Sequence, residues 1–100
     1  MSRPLRNVRA AREELAAAVR WFEEQRPGLG AELYDEVVAT ITRLQASPES
    51  GVPISRDPRT RRVIVSRFPY QVVYRLAPSE IVVLAVAHLK RRPNYWKDRE

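Results

Sequence analysis

RRVIVSRFPYQVVYRLAPSEIVVLAVAH (residues 61–88) decides the fold of this chain, because it holds three apolar segments joined by two short turns. Apolar residues alternate with others along the middle segment, which is the period of a strand with one buried face. The last segment is apolar throughout, as in a central strand. The short turns predict an antiparallel meander of three strands, at Arg62–Ser66, Phe68–Leu76 and Ile81–Ala87.

Two amphipathic helices are predicted before the strands. Apolar residues recur every three or four positions from Ala10 to Gln25, and again from Ala31 to Ala46. RPGLG (residues 26–30) separates the two segments, because proline disfavours helical geometry before it and glycine permits a tight turn. The connection is short, so we expect an antiparallel helical hairpin.

The remaining segments complete the predicted architecture. Residues 47–60 contain three prolines and should form a loop held by Val52 and Ile54. Pro4 limits any strand within residues 1–9 to a sheet edge, and the sequence leaves open whether that strand forms. We therefore expect one domain, residues 1–100, with an α+β fold: a two-layer sandwich of order β-α-α-β-β-β. Its antiparallel helical hairpin would pack on a small antiparallel sheet.

The net charge of +6 is unevenly distributed. Residues 1–53 hold seven arginines and eight acids, whereas residues 54–100 hold eleven lysines and arginines and four acids. A basic excess confined to the second half indicates a polyanion or an acidic protein as partner. The alternative is that this charge serves solubility alone.

Several functional classes are excluded by composition. The chain has no cysteine and one histidine, so thiolate and ordinary histidine metal sites are ruled out, and we expect no metal and no cofactor. Neither a glycine-rich phosphate loop nor a GxSxG motif is present. The acidic pairs Glu13–Glu14 and Glu23–Glu24 should be solvated charge on the wet face of the first helix. No apolar leader or membrane-spanning run is visible, so we expect a cytoplasmic protein without a membrane partner.

Four stretches, taken in order, carry a family resemblance: AAREELAAAVRWFEEQRPGLGAELYDEV, LQASPESGVP, RRVIVSRFPYQVVYRL and IVVLAVAHLKRRPNYWKDR. Together they cover nearly the whole chain, which resembles the RelE/ParE superfamily of toxins from type II toxin–antitoxin modules. The resemblance implies the two-layer fold described above. It also implies a toxin that an antitoxin from the same operon neutralises.

The family resemblance leaves two activities open. Toxins of the RelE type cut messenger RNA in the ribosomal A site, and toxins of the ParE type are described as poisoning DNA gyrase. At three positions where a RelE-type nuclease has cationic residues, this chain has Ile64, Gln71 and Leu89. The residues left as catalytic candidates for an RNA-cleaving enzyme are Arg62, His88, Arg91 and Tyr95.

The absence of these cationic residues favours the ParE-like branch and a toxin that binds a cellular target such as DNA gyrase. The alternatives are a ribosome-dependent messenger RNA endoribonuclease and a weakly toxic partner of the antitoxin. The predicted target-binding residues are Arg91, Arg92, Tyr95, Trp96 and Lys97. The predicted residues for an acidic antitoxin are Trp21, Tyr34, Val38, Arg67 and Arg75. Operator DNA would be contacted only indirectly, through the antitoxin.

Overall fold

The computed structural model describes residues 3–54 and 57–100. Met1, Ser2, Ser55 and Arg56 lie outside the described residues, so the predicted N-terminal segment and the predicted loop are each described in part. The elements are β1 (Leu5–Asn7), α1 (Arg9–Gln25), α2 (Leu29–Ala46), a 3-10 turn (Pro48–Ser50), β2 (Val52–Pro53), β3 (Thr60–Ile64), β4 (Tyr70–Leu76) and β5 (Ile81–His88).

The two-layer α+β fold predicted from the sequence is confirmed, with both helices against one five-stranded sheet. The strand order is β1-β5-β4-β3-β2, and β3, β4 and β5 form the predicted antiparallel meander. Two features of the sheet differ from the prediction. β1 pairs with β5 in parallel, Leu5 opposite Ile81, and the very short β2 adds a second edge. Strands of two or three residues are too short for a periodic pattern to reveal them or their direction.

The turn between the helices is tighter than predicted, because α2 already begins at Leu29. Gly28 has a φ of 91°, which is the left-handed conformation that glycine adopts without strain. A Cβ on Gly30 would lie 2.5 Å from the carbonyl oxygen of Val19, so glycine permits the two helices to approach. Glu23 accepts hydrogen bonds from the amides of Gly28 and Gly30 at 2.9 and 3.0 Å. The prediction that Glu23 is only solvated charge is therefore wrong.

The faces of the sheet follow from the register of the meander. Tyr70 lies opposite His88 and faces α1, where its ring meets Phe22 at 6.0 Å. Residues on the opposite face include Arg62, Ile64 and Gln71, and we call this side of the sheet the open face. β4 starts at Tyr70 rather than Phe68, because the tight turn before it closes with a bond from the Val65 amide to the Tyr70 carbonyl.

A β-bulge interrupts the pairing of β4 with β5. Val73 lies opposite Ala85, but the next residue, Tyr74, lies opposite Val83, so Leu84 is the extra residue on β5. Tyr74 is completely buried, and its hydroxyl donates to the carbonyl of Pro48 and accepts from the amide of Gly51, at 2.7 and 3.0 Å. This tyrosine holds the segment after α2. The predicted anchor Val52 is exposed instead, because it lies on the two-residue edge strand.

After β5 the chain turns back across the open face, and we call residues 89–100 the tail. Trp96 is only 6% exposed and shares a cleft with Gln71 of β4, so it fixes the tail to the sheet. At the far end Glu100 accepts from Arg6 at 2.8 Å and, through its carbonyl oxygen, from Arg75. In the described part of the chain, neither helix is apolar enough over its length to cross a bilayer.

Candidate functional site

An apolar groove of about 480 Å³ runs between α1 and α2. Leu15 and Val19 line it from α1, and Tyr34 and Val38 line it from α2. Each pair is four residues apart, so its members lie one turn above the other on the same side of their helix. Val38 is 42% exposed although it is aliphatic. The apolar stripes are therefore wider than the sheet can cover, and the groove is an unpartnered apolar surface.

The other predicted antitoxin residues lie apart from this groove. Trp21 is 54% exposed but lies elsewhere on α1, near Tyr70 and His88. Arg67, in the turn before β4, donates to Glu32 and Glu36 of α2 at 2.7 and 3.3 Å. Arg75 binds the Glu100 carbonyl on the open face. Of the five predicted residues, the structure brings together Tyr34 and Val38 only.

The four nuclease candidates do not converge on one face. Arg62 belongs to the open face, and its Nη1 contacts the Gln71 side chain at 3.4 Å. The His88 side chain faces α1, and its Nδ1 accepts the amide hydrogen of Lys90 at 3.0 Å, so this nitrogen serves the turn after β5. Arg91 lies at the end of the sheet between them, its guanidinium 4.1 Å from the Tyr95 ring centroid. An acid and a base on opposite faces cannot act on one phosphate.

The hydroxyl of Tyr95 is occupied by a carboxylate. It donates to Oε2 of Glu14 at 2.7 Å, and Arg99 donates to both oxygens of the same carboxylate at 3.0 and 3.2 Å. Burial and the hydrogen bond to Glu14 raise the pKa of Tyr95 well above its ordinary value of 10. The hydrogen bond to Glu14 likewise raises the pKa of Arg99. Tyr95 therefore remains protonated at neutral pH and anchors the tail.

Glu14 also completes the edge of β5. β1 pairs with the first part of β5 only, and the Val8 amide adds a bond to the Val83 carbonyl. Beyond that point the amide of Val86 donates to Glu14 Oε1 at 3.0 Å, and the carbonyl of Leu84 accepts from Arg99 at 3.0 Å. The prediction that Glu14 is solvated charge is wrong. Its carboxylate accepts the hydrogen bond from the Val86 amide that a neighbouring strand would otherwise accept.

The other cations of the tail, unlike Arg99, are exposed to solvent. Lys90, Arg91, Arg92 and Lys97 are all exposed. Among the described residues, none of these four forms a salt bridge. Of the predicted target-binding set, Arg91, Arg92 and Lys97 are thus accessible to a partner, whereas Trp96 is buried beneath the tail.

A second concavity, of about 270 Å³, lies on the open face, and we call it the cleft. The residues that line it are Ile54, Arg62, Gln71, Leu89, Arg91, Pro93, Asn94 and Trp96. The cleft joins Arg62 and Arg91, which are 29 positions apart in the sequence, and no carboxylate is found among the described residues that line it. The sequence did not predict this cleft, because Leu89 and Gln71 were interpreted only as positions where the cationic residues of a RelE-type nuclease are absent.

Glu14 and Arg99 were also missed as tail anchors. Glu14 lies three residues after Ala11 and four before Ala18, both buried, so its helical position indicated partial burial. Nothing in the sequence indicated its partners, which are more than seventy positions away.

Comparison with solved structures reveals the same fold in two toxin–antitoxin systems. One is the chromosomal ParDE toxin–antitoxin system from P. aeruginosa, with a TM-score of 0.76 and 23% identity over 87% of this chain and 96% of that chain. The other is the toxin–antitoxin complex RelBE2 from Mycobacterium tuberculosis, with a TM-score of 0.59 and 23% identity over 88% of this chain and 92% of that chain. No curated protein sequence matches the chain significantly.

The family is shown by sequence. The family model described as "ParE toxin of type II toxin-antitoxin system, parDE" matches residues 7–93. This range runs from the end of β1 through both helices and the meander into the tail. The chain therefore belongs to the ParE toxin family of type II toxin–antitoxin systems.

Proposed function

We propose that this toxin acts by binding a protein target such as DNA gyrase through the exposed cations of its tail. The observation that carries the proposal is the contrast within the tail. Tyr95 and Trp96 fix its base to the domain, while Arg91 and Arg92 remain exposed and without carboxylate partners among the described residues. A rigidly mounted group of unpaired cations is suited to an acidic protein surface.

Ribosome-dependent cleavage of messenger RNA is the second candidate. It is favoured by the cleft, where Arg62 and Arg91 could both contact a phosphate. It is disfavoured by the position of His88 on the other face and by the occupied hydroxyl of Tyr95. Phosphate contacts alone position a nucleic acid without cutting it.

The proposed antitoxin partner is acidic, and an amphipathic helix of it would occupy the groove. The two solved structures described above come from toxin–antitoxin systems, which supports a partner of this kind. The groove offers Leu15, Val19, Tyr34 and Val38 as apolar contacts for residues one helical turn apart. Arg12 also lines the groove and adds positive charge at its margin. Such a helix would bury apolar surface that the isolated toxin leaves in water.

The target can be tested by inducing the toxin in bacteria that lack its antitoxin. Messenger RNA ends and plasmid supercoiling would be measured in the same samples. We expect intact messages with altered supercoiling. Rapid, codon-phased cleavage with normal supercoiling would instead establish the nuclease, and growth without arrest would leave only the antitoxin-binding role.

The part played by the tail can be tested by charge reversal. Arg91→Glu combined with Arg92→Glu should abolish growth arrest and leave the fold intact, because both side chains are exposed. Arg9→Glu combined with Arg20→Glu is the matched control, since it reverses two exposed arginines on α1. Equal growth arrest by the tail variant and the wild type would refute the proposal.

A further inference from the structure

Arg62, in the cleft on the open face, has no carboxylate partner among the described residues. Arg62 is half buried. Among the described residues, its guanidinium donates one hydrogen bond, to the Gln71 amide oxygen at 3.4 Å, which is at the long limit for such a bond. Arg91 also lines this cleft, and no carboxylate does so among the described residues. A partly desolvated cation without a counter-ion is unfavourable. A carboxylate that enters the cleft would therefore lower the free energy of the site.

The size of the cleft indicates what kind of anion fits. Its volume of about 270 Å³ is below the range of about 300–1,000 Å³ that is usual for small-molecule and cofactor sites. The cleft is open to solvent beside Leu89, which is 41% exposed. Ile64 lies nearby, on the same face of β3 as Arg62, and is 53% exposed. A cationic cavity with apolar borders suits an acidic side chain flanked by apolar residues.

The aromatic residues of the tail favour a protein over a nucleic acid. Single-stranded nucleic acids are bound by stacking bases on accessible aromatic rings. Trp96 is buried, and the Tyr95 ring is already in contact with the guanidinium groups of Arg91 and Arg99, which lie 4.1 and 4.9 Å from its centroid. Both rings are therefore already engaged in contacts within the domain.

We propose that the cleft receives a Glu or Asp side chain of the toxin's protein target, with Arg62 and Arg91 binding the carboxylate and Leu89 and Ile64 contacting the flanking apolar residues. This inference rests on the proposed function. It adds Arg62, Ile64 and Leu89 to the target surface and specifies the chemistry of the segment bound. The groove lies between the helices on the other side of the sheet, so the two surfaces are separate.

The test uses Arg62→Gln in the full-length toxin, with Arg20→Gln as the control because it removes one exposed arginine from α1. Growth arrest is measured in bacteria, and affinity is measured for purified DNA gyrase and for a single-stranded RNA oligonucleotide. We expect Arg62→Gln to lower gyrase affinity by about tenfold or more and to weaken growth arrest. Arg20→Gln should match the wild type in all three measurements. Unchanged circular dichroism would show that Arg62→Gln is folded.

The outcomes distinguish the two proposals. If wild-type toxin binds gyrase and Arg62→Gln binds equally well, the cleft proposal fails and the proposed function stands. If the substitution reduces RNA affinity and leaves protein binding unchanged, the cleft is a nucleic-acid site and the proposal is overturned. If the wild type neither arrests growth nor binds gyrase, both proposals fail.

A photoreactive residue at position 64 covers the remaining case, in which the wild type arrests growth without binding gyrase. A crosslink to an acidic segment of another protein would then support the cleft proposal and reject gyrase as the target. A crosslink to nucleic acid, or none to any protein, would overturn it.

Discussion

The groove and the cleft expose nearly equal fractions of an aliphatic side chain, 42% of Val38 and 41% of Leu89, yet they suit different partners. Arg12, which lines the groove, already donates to the Asn7 carbonyl. The described residues that line the cleft include two arginines and no acid. Exposed apolar area indicates that a surface has a partner, and the charge beside it indicates the partner's chemistry. On this basis we propose a helix-binding surface between α1 and α2 and a carboxylate-binding surface on the open face.

The largest effect is expected from the residue that fixes the tail to the open face. Trp96→Ala should lower the free energy of unfolding by about 3 kcal/mol, because it removes a buried aromatic ring from beneath the tail. Trp21→Ala is the control, and its loss should be below about 1 kcal/mol because that ring is mostly exposed. Urea denaturation measures both. Equal losses would show that the tail is not part of the folded core.

A second substitution tests whether the groove and the cleft bind different partners. Val38→Glu should weaken binding of the cognate antitoxin by about 100-fold, because a carboxylate would be buried against an apolar helix. Leu89→Glu, at nearly the same exposure on the other side of the sheet, should change that affinity by less than about threefold. Isothermal titration calorimetry provides the comparison. Equal losses would mean that the antitoxin covers both surfaces, and the distinction would be lost.

A third substitution tests the connection between α1, β5 and the tail. Glu14→Gln should lower the free energy of unfolding by about 2 kcal/mol, because it leaves the Arg99 charge without its carboxylate and removes an acceptor from Tyr95. Glu13→Gln should change it by less than about 0.5 kcal/mol, since Glu13 forms one exposed pair with Arg9. Thermal and urea unfolding would distinguish the two. A similar change for both variants would mean that the Glu14 carboxylate contributes no more than a surface charge.

The smallest effect concerns acid stability on the two sides of the sheet. Hydrogen bonds from Arg67 and Arg6 lower the pKa values of Glu32 and Glu80, respectively, below the ordinary 4.5. The stability they contribute is therefore fully present above about pH 4.5 and is lost as the pH falls through the lower pKa of the folded state. Urea midpoints should fall between about pH 5 and pH 3. Glu32→Gln and Glu80→Gln should each reduce that fall slightly, and a fall centred above pH 6 would point to another group.

Much of the fold was predictable, because its main elements are long enough to repeat their pattern. Both helices lie within two residues of their predicted starts and end where predicted. β1 and β2 contain three and two residues, so no period could specify their pairing. β3 lies two residues earlier than predicted, because VIV continues beyond the strand into the turn before Tyr70.

The candidate site was less predictable, because it depends on which face each residue occupies. Trp21, Tyr34 and Val38 were predicted to bind the antitoxin and are all exposed, but the sequence did not reveal that Trp21 lies apart from the other two. The separation of Arg62 from His88 follows from the strand register, and a shift of one residue would have put both on the same face. A single sequence does not fix that register.

The side chains along the second half of β5 have a further consequence, for self-association. An exposed strand edge is a template for adding a strand from another molecule. Here the Val86 amide and the Leu84 carbonyl are already bonded, to Glu14 and Arg99. These two residues therefore protect the edge against aggregation without the cost of another strand. A toxin whose tail is clipped before Arg99 would lose half of this protection, and its solubility would then depend on Glu14.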